Sequence, residues 1–184
     1  METIECIKTR RSRRKYLDRD IDDETLKKVI DVVRYSPSSL DCQPWEIIIV
    51  KKQDIKNEIV ELKNKFMPDY LKKAGFKNDF IAEAPALIVV CIDTKKSPSR
   101  WIEDGVIASM NILLAINDIG LAGVYVTAFS TEEKEISETL KNMLRLPENI
   151  MPISIIPIGY GDVNEKLEEK KLNDLNKIVH YNGW

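Results

Sequence analysis

The sequence predicts an α+β fold in a single domain spanning residues 1–184, and three observations carry that expectation. Apolar residues recur at helical spacing in some segments and form short β-branched runs in others. The two kinds of segment do not alternate strictly, as a doubly wound parallel fold would require, and they number about four strands and about four or five helices. The 184 residues are 43% hydrophobic and 32% charged, with 28 Lys+Arg against 30 Asp+Glu, the composition of an ordinary globular chain with one core. No internal repeat, low-complexity tract or Gly/Ser/Pro linker divides it.

Taken in order, Asp22 to Tyr35 places Leu26, Val29, Ile30 and Val33 at i, i+3, i+4 and i+7, with Asp22 or Asp23 as N-cap, so an amphipathic helix is expected. EIIIV at 46–50 reads as a strand. Ile55, Ile59, Leu62 and Phe66 form a second helical stripe. Ala86 to Ile92, a continuous apolar run after Pro85, predicts a buried central strand. Trp101 to Ile119 predicts a long helix that is apolar nearly all round, closed by Gly120, which belongs in a core or a subunit interface. Gly123 to Thr127 predicts a strand, and Ser130 to Glu133 a capping box for a helix carrying Ile136, Leu140 and Leu144. Ser154 to Ile158 predicts the last strand, ending at Gly159-Tyr160-Gly161. A charged stretch from Asp162 to Lys171 leads to a tail whose closing Trp184 suggests docking, with a second subunit as one candidate surface.

Two scarcities exclude much chemistry. One histidine, His180, cannot build a His-rich zinc site or an HExxH metalloprotease, and a Ser-His-Asp hydrolase would need it as general base. Cys6, Cys42 and Cys91 form no CxxC pair and cannot ligate an iron–sulfur cluster; Cys91, inside an apolar run, reads as a small buried hydrophobe. The longest apolar runs fall short of the roughly 20 residues that span a bilayer. METIECIKTRRS mixes charges among its apolar residues, so no secretory leader is expected and the cytoplasm is the expected compartment. Any chemistry would therefore fall to a bound cofactor.

The sharpest local feature is RRSRRK at 10–15, with five positive charges in a chain whose net charge is −2. One reading is a solvated basic patch or a nucleic-acid contact, which an acidic remainder and the lack of interleaved aromatics weaken. The other is a phosphate site, because guanidinium forks bind phosphate bidentately and Ser12 adds a hydroxyl donor. In extended chain Arg10, Ser12 and Arg14 share one side, with Arg11 and Arg13 opposite. The second feature is SPSSLDCQPW at 36–45, where Pro37 and Pro44 stiffen a loop. Its Ser38, Ser39, Asp41 and Gln43 offer groups for a heteroaromatic edge or a ribityl chain, or for ordinary turn chemistry.

TRRSRRKY at 9–16, SPSSLDCQPWEIIIV at 36–50, the apolar helix running into DIGLAGVYV at 118–126, PIGYG at 157–161 and the IVHYNGW tail together resemble the FMN-dependent nitroreductase family over nearly the whole chain. The resemblance implies a nitroreductase-like fold, with a central, mostly antiparallel sheet flanked by helices. It also implies a homodimer holding FMN at the interface, the C-terminal tail being exchanged between subunits. On this resemblance Arg10 and Ser12, with Arg11 beside them, match the phosphate and ribityl end, and Arg14 the pyrimidine edge. Pro37, Ser38 and Ser39, with Leu40 and Gln43, match a loop reaching the flavin of the other subunit. Leu121, Ala122 and Gly123 match a turn against one face of the ring. Lys170 and Lys171 stand where basic residues meet the phosphate, or are simply solvated.

Three departures from the family pattern stand out: Asp41 replaces a common Asn, Ala122 a glycine, and lysines the usual C-terminal Arg. The implied activity is a ping-pong oxidoreduction in which NADH or NADPH reduces the flavin at N5 and a nitroaromatic, quinone or related small acceptor is then reduced. No metal, membrane or nucleic acid is expected to take part. The alternatives are a dehydrogenase, deiodinase-like or flavin-fragmenting enzyme on the same scaffold, a flavin-binding regulator without turnover, or a nucleic-acid contact at RRSRRK. The segment 66–101, with Met67, Tyr70, Phe76, Phe80 and Trp101, is the expected substrate lid.

Overall fold

A computed structural model describes residues 1–130 and 133–184. The runs richest in β-branched residues pair with one another: β1 (Trp45–Val50), β2 (Ala86–Asp93), and a final strand, Ile150–Gly159, all antiparallel. The expected single strand at 123–127 is two short pieces, β3 (Ala122–Gly123) and β4 (Val126–Thr127), each pairing with that final strand, here β5. The sheet order is β1-β2-β5-β3, with β4 also on β5.

β2 and β5 are buried on both faces, which explains why their sequences are continuously apolar. Side-chain alternation divides them between two cores. Ile88, Val90, Ile156 and Ile158 pack with α2 (Asp23–Asp31) and α6 (Trp101–Asp118). Leu87, Val89, Cys91 and Ile155 pack with residues of α3 (Gln53–Lys65), α5 (Phe80–Glu83) and α7 (Lys134–Met143) on the other face. Two short helices, α1 (Thr3–Thr9) and α4 (Asp69–Lys73), complete the described set and carry no long apolar stripe to announce them.

The amphipathic helix at 22–35 starts as expected, with the Asp22 carboxylate accepting the Thr25 amide at 2.7 Å, but tightens to a 3₁₀ turn from Val32 to Tyr35. At the C-terminus of α6, Gly120 adopts φ 77°, and the Leu121 amide reaches back to the Ile116 carbonyl at 2.9 Å. Ser130 Oγ accepts the Glu133 amide at 2.9 Å, one half of the expected capping box; residues 131 and 132 within it lie outside the described residues.

One expectation needs correction. The segment 66–101 is not simply a lid: Met67 and Phe80 are buried, and Phe80 belongs to the second core because its ring and the short α5 close the sheet face below α3. On its own subunit the helix α6 is enclosed on one face only. Ala108, Ile112 and Ile116 face the core, while Val106, Ile107 and Met110 are exposed, as are Ile4 and Ile7 of α1. Among the described residues no helix is long and apolar enough to cross a membrane.

Candidate functional site

Residues 10–17 leave α1 as extended chain and are held by main-chain bonds on two sides. The Arg13 amide donates to the Gly123 carbonyl at 3.1 Å, the Asp162 amide to Lys15 O at 3.1 Å, and the Leu17 amide to Tyr160 O at 2.8 Å. The basic run is thereby laid against the turn after α6 and the segment after β5. The alternation expected of extended chain is present: Arg11 donates to the Glu168 carbonyl, and Arg13 pairs with Glu165, Nε to Oε2 at 2.9 Å. Gly161 passes directly under the Arg13 guanidinium, where a Cβ would collide with it. Tyr16 donates to Arg13 O at 3.0 Å, and burial pushes its phenol well above the usual range. The run is therefore not a solvated patch.

Arg14 is held differently. Its amide donates to Glu165 Oε1 at 2.9 Å, and its guanidinium lies 5.8 and 5.5 Å from the ring centroids of Phe76 and Phe80. Its Nε is buried with no hydrogen-bond partner among the described residues. A buried unpaired donor costs free energy, so this one asks for an acceptor that the chain does not itself provide. Arg10 is half-buried and Ser12 exposed beside it. Lys170 Nζ donates to Lys8 O at the C-terminal end of α1, which brings a further cation to this place, whereas Lys171 is exposed.

Leu121, Ala122 and Gly123 are buried, and Gly123 meets the basic run through Arg13. The methyl of Ala122 is 1% exposed and lies inside the protein. The loop carrying Pro37, Ser38, Ser39, Leu40 and Gln43 stands apart: its described hydrogen bonds run within itself and to α6, none to residues 10–14. Leu40, Asp41 and Gln43 all have positive φ, and Asp41 accepts from its neighbour Gln43 at 3.2 Å. The tail makes the same point. Leu172, Leu175, Tyr181 and Trp184 are strongly exposed on their own subunit, with the His180 and Trp184 rings stacked at 4.1 Å.

Sequence reasoning missed Glu165, Gly161, Phe76 and Phe80 as neighbours of the basic run. Glu165 lies in a charged stretch in which no spacing separates it from Glu168 or Glu169, and the phenylalanines were assigned to a lid. Nothing in the one-dimensional pattern distinguishes them.

The profile of the Nitroreductase family matches residues 7–160 of this chain. A candidate NADH dehydrogenase/NAD(P)H nitroreductase of Methanothermobacter thermautotrophicus is 35% identical over 100% of this chain and 88% of its own. The crystal structure of a protein of the same description from Parabacteroides distasonis has a TM-score of 0.83 at 35% identity, covering 99% of this chain and 98% of that one. An FMN-dependent nitroreductase from Clostridium difficile has a TM-score of 0.80 at 29% identity over 98% and 99%. An iodotyrosine deiodinase of Hydra vulgaris is 26% identical over 92% of this chain and 69% of its own.

Proposed function

The chain belongs to the nitroreductase family, and on that premise we propose that it is a single-domain, FMN-dependent oxidoreductase taking electrons from NADH or NADPH and passing them to a nitroaromatic, quinone or related small acceptor. The observation that carries the cofactor is the buried, unpartnered Nε of Arg14 at the end of a half-buried cationic run. The relatives' descriptions support the donor and the flavin.

Bound FMN would supply the two-electron chemistry, in two half-reactions that share one open ring face. The rest falls to the chain. Arg10 and Lys170, with the Ser12 hydroxyl, would bind the phosphate and ribityl end through charge-assisted hydrogen bonds, while the Arg11 guanidinium is taken up by the Glu168 carbonyl. Glu165 neutralises Arg13 inside the protein, so that guanidinium too is withheld from the ligand. Arg14 would put its positive charge where reduction adds negative charge, raising the potential. The backbone of Leu121, Ala122 and Gly123 would close one face of the ring.

In a homodimer Pro37 to Gln43 of one protomer would meet the cofactor of its partner. The tail from Leu172 to Trp184 would then cover apolar surface on the other subunit, such as the exposed face of α6. That arrangement accounts for a loop and a tail that find no partner at residues 10–14 of their own chain.

The test is anaerobic reduction of purified protein by NADH and by NADPH, followed by nitroaromatic and quinone acceptors. Bleaching of a flavin spectrum and recovery on adding acceptor is the expected result. Protein that stays colourless after incubation with FMN would refute the proposal. Reductive deiodination is the second reading, favoured by the Hydra relative, and iodotyrosine in the acceptor panel decides it.

A further inference from the structure

The loop before β1 holds three non-glycine residues in the left-handed region, Leu40 (φ 52°), Asp41 (φ 53°) and Gln43 (φ 46°). Strain of this kind persists only where the surroundings over-determine the backbone. Its internal bonds are short-range: Ser38 Oγ accepts the Gln43 amide at 3.0 Å, the Asp41 amide returns to Ser38 O and the Cys42 amide to Ser39 O, both at 3.1 Å, and Gln43 Nε2 donates to Asp41 Oδ1 at 3.2 Å. What it presents is Leu40, 99% exposed, an apolar side chain that contributes nothing to the core of its own chain.

The external anchors come from one helix. Asp104, in the first turn of α6, is 3% exposed and accepts the Ser39 amide at 3.0 Å and the Ser97 hydroxyl at 2.7 Å, one donor to each carboxylate oxygen. Among the described residues no basic side chain pairs with it; the positive end of α6 and these two donors are what stabilise its charge. Asn111, seven residues and about two turns further along the same face, donates from Nδ2 to Ser36 Oγ at 2.8 Å. The two anchors meet the loop at Ser36 and Ser39, immediately ahead of the strained residues.

We propose that Asp104 and Asn111 are positioning residues, a two-point latch by which α6 holds the Ser36–Gln43 loop in its strained form for contact with the cofactor of the partner subunit; the cofactor part rests on the functional reading above. Asp104→Ala removes both acceptor oxygens at once, so the Ser39 amide and the Ser97 hydroxyl lose their anchor together.

The experiment compares wild type, Asp104→Ala and Asn111→Ala by amide hydrogen exchange of peptides covering 36–44, together with FMN titration and thermal unfolding. The expected result is exchange at residues 39–43 at least about tenfold faster in each variant, with exchange in the sheet unchanged, and FMN affinity about tenfold weaker. Loop exchange equal to wild type in both variants overturns the latch. Faster exchange with unaltered FMN affinity overturns its role toward the cofactor. A wild type that takes up no FMN overturns the functional reading instead, and the exchange data then still decide the latch by themselves.

Discussion

Arg13 and Glu165 form an ion pair at 2.9 Å across 152 positions of sequence, and the Glu165 side chain is only 9% exposed. The same carboxylate accepts the Arg14 amide with its other oxygen, so one residue beyond the last strand sets the path of the whole basic run. Removing Arg13 leaves that carboxylate largely buried with half its partners. Arg13→Ala is expected to lower unfolding free energy by about 1–3 kcal/mol, discounted because the Arg13 side chain is itself 26% exposed. Urea denaturation measures it, and a loss below about 0.5 kcal/mol, the size of a surface pair, contradicts the assignment.

Arg14 differs from Arg13 in having no ion-pair partner among the described residues, and it has two aromatic rings against its guanidinium. Arg14→Ala should lower the reduction potential of bound FMN with a smaller effect on affinity, and Arg14→Lys should recover part of the potential. Spectroelectrochemical titration of the three proteins is decisive; equal potentials remove Arg14 from the flavin's electrostatics.

The two lysines at 170 and 171 make an internal control. Lys170 is tied to the end of α1 beside the basic run, and Lys171 is exposed. Arg10→Ala should weaken FMN retention by roughly 1.5–3 kcal/mol, Lys170→Ala measurably, and Lys171→Ala not at all. Equilibrium dialysis against FMN ranks them, and a loss at Lys171 matching that at Lys170 would refute the placement.

Burial moves the Cys91 thiol up to about 12, from 9.0 in exposed chain. Between these values the unfolded chain has released this proton and the folded one has kept it. Stability from this group therefore falls as pH rises above about 9, by about 1.4 kcal/mol per pH unit. Urea midpoints of wild type and Cys91→Ala should differ in slope between pH 9 and 11, the wild type falling more steeply. Parallel slopes would mean that the thiol is not protected.

Every residue beyond Lys171 is exposed on its own subunit. Deleting residues 172–184 should leave the far-ultraviolet spectrum of the subunit intact while weakening dimerisation in sedimentation velocity. A truncated protein that dimerises as tightly as the full chain would remove the tail from the interface.

The sequence by itself determined what local periodicity and backbone chemistry encode. The buried strands follow from runs such as Ala86–Ile92, the end of α6 from Gly120, the N-cap of α2 from Asp22, and the family from motifs falling in order. The alternation of Arg11 and Arg13 against Arg10, Ser12 and Arg14 was legible for the same reason, since extended chain has a period of two. Only the tertiary structure decided that Glu165 takes Arg13 and Arg14, that Phe76 and Phe80 lie against Arg14, and that Asp104 and Asn111 hold the loop at Ser36–Gln43. Those partners are brought together by packing across a three-layer fold, and a carboxylate or a phenyl ring carries no mark in the chain of which distant residue will lie against it.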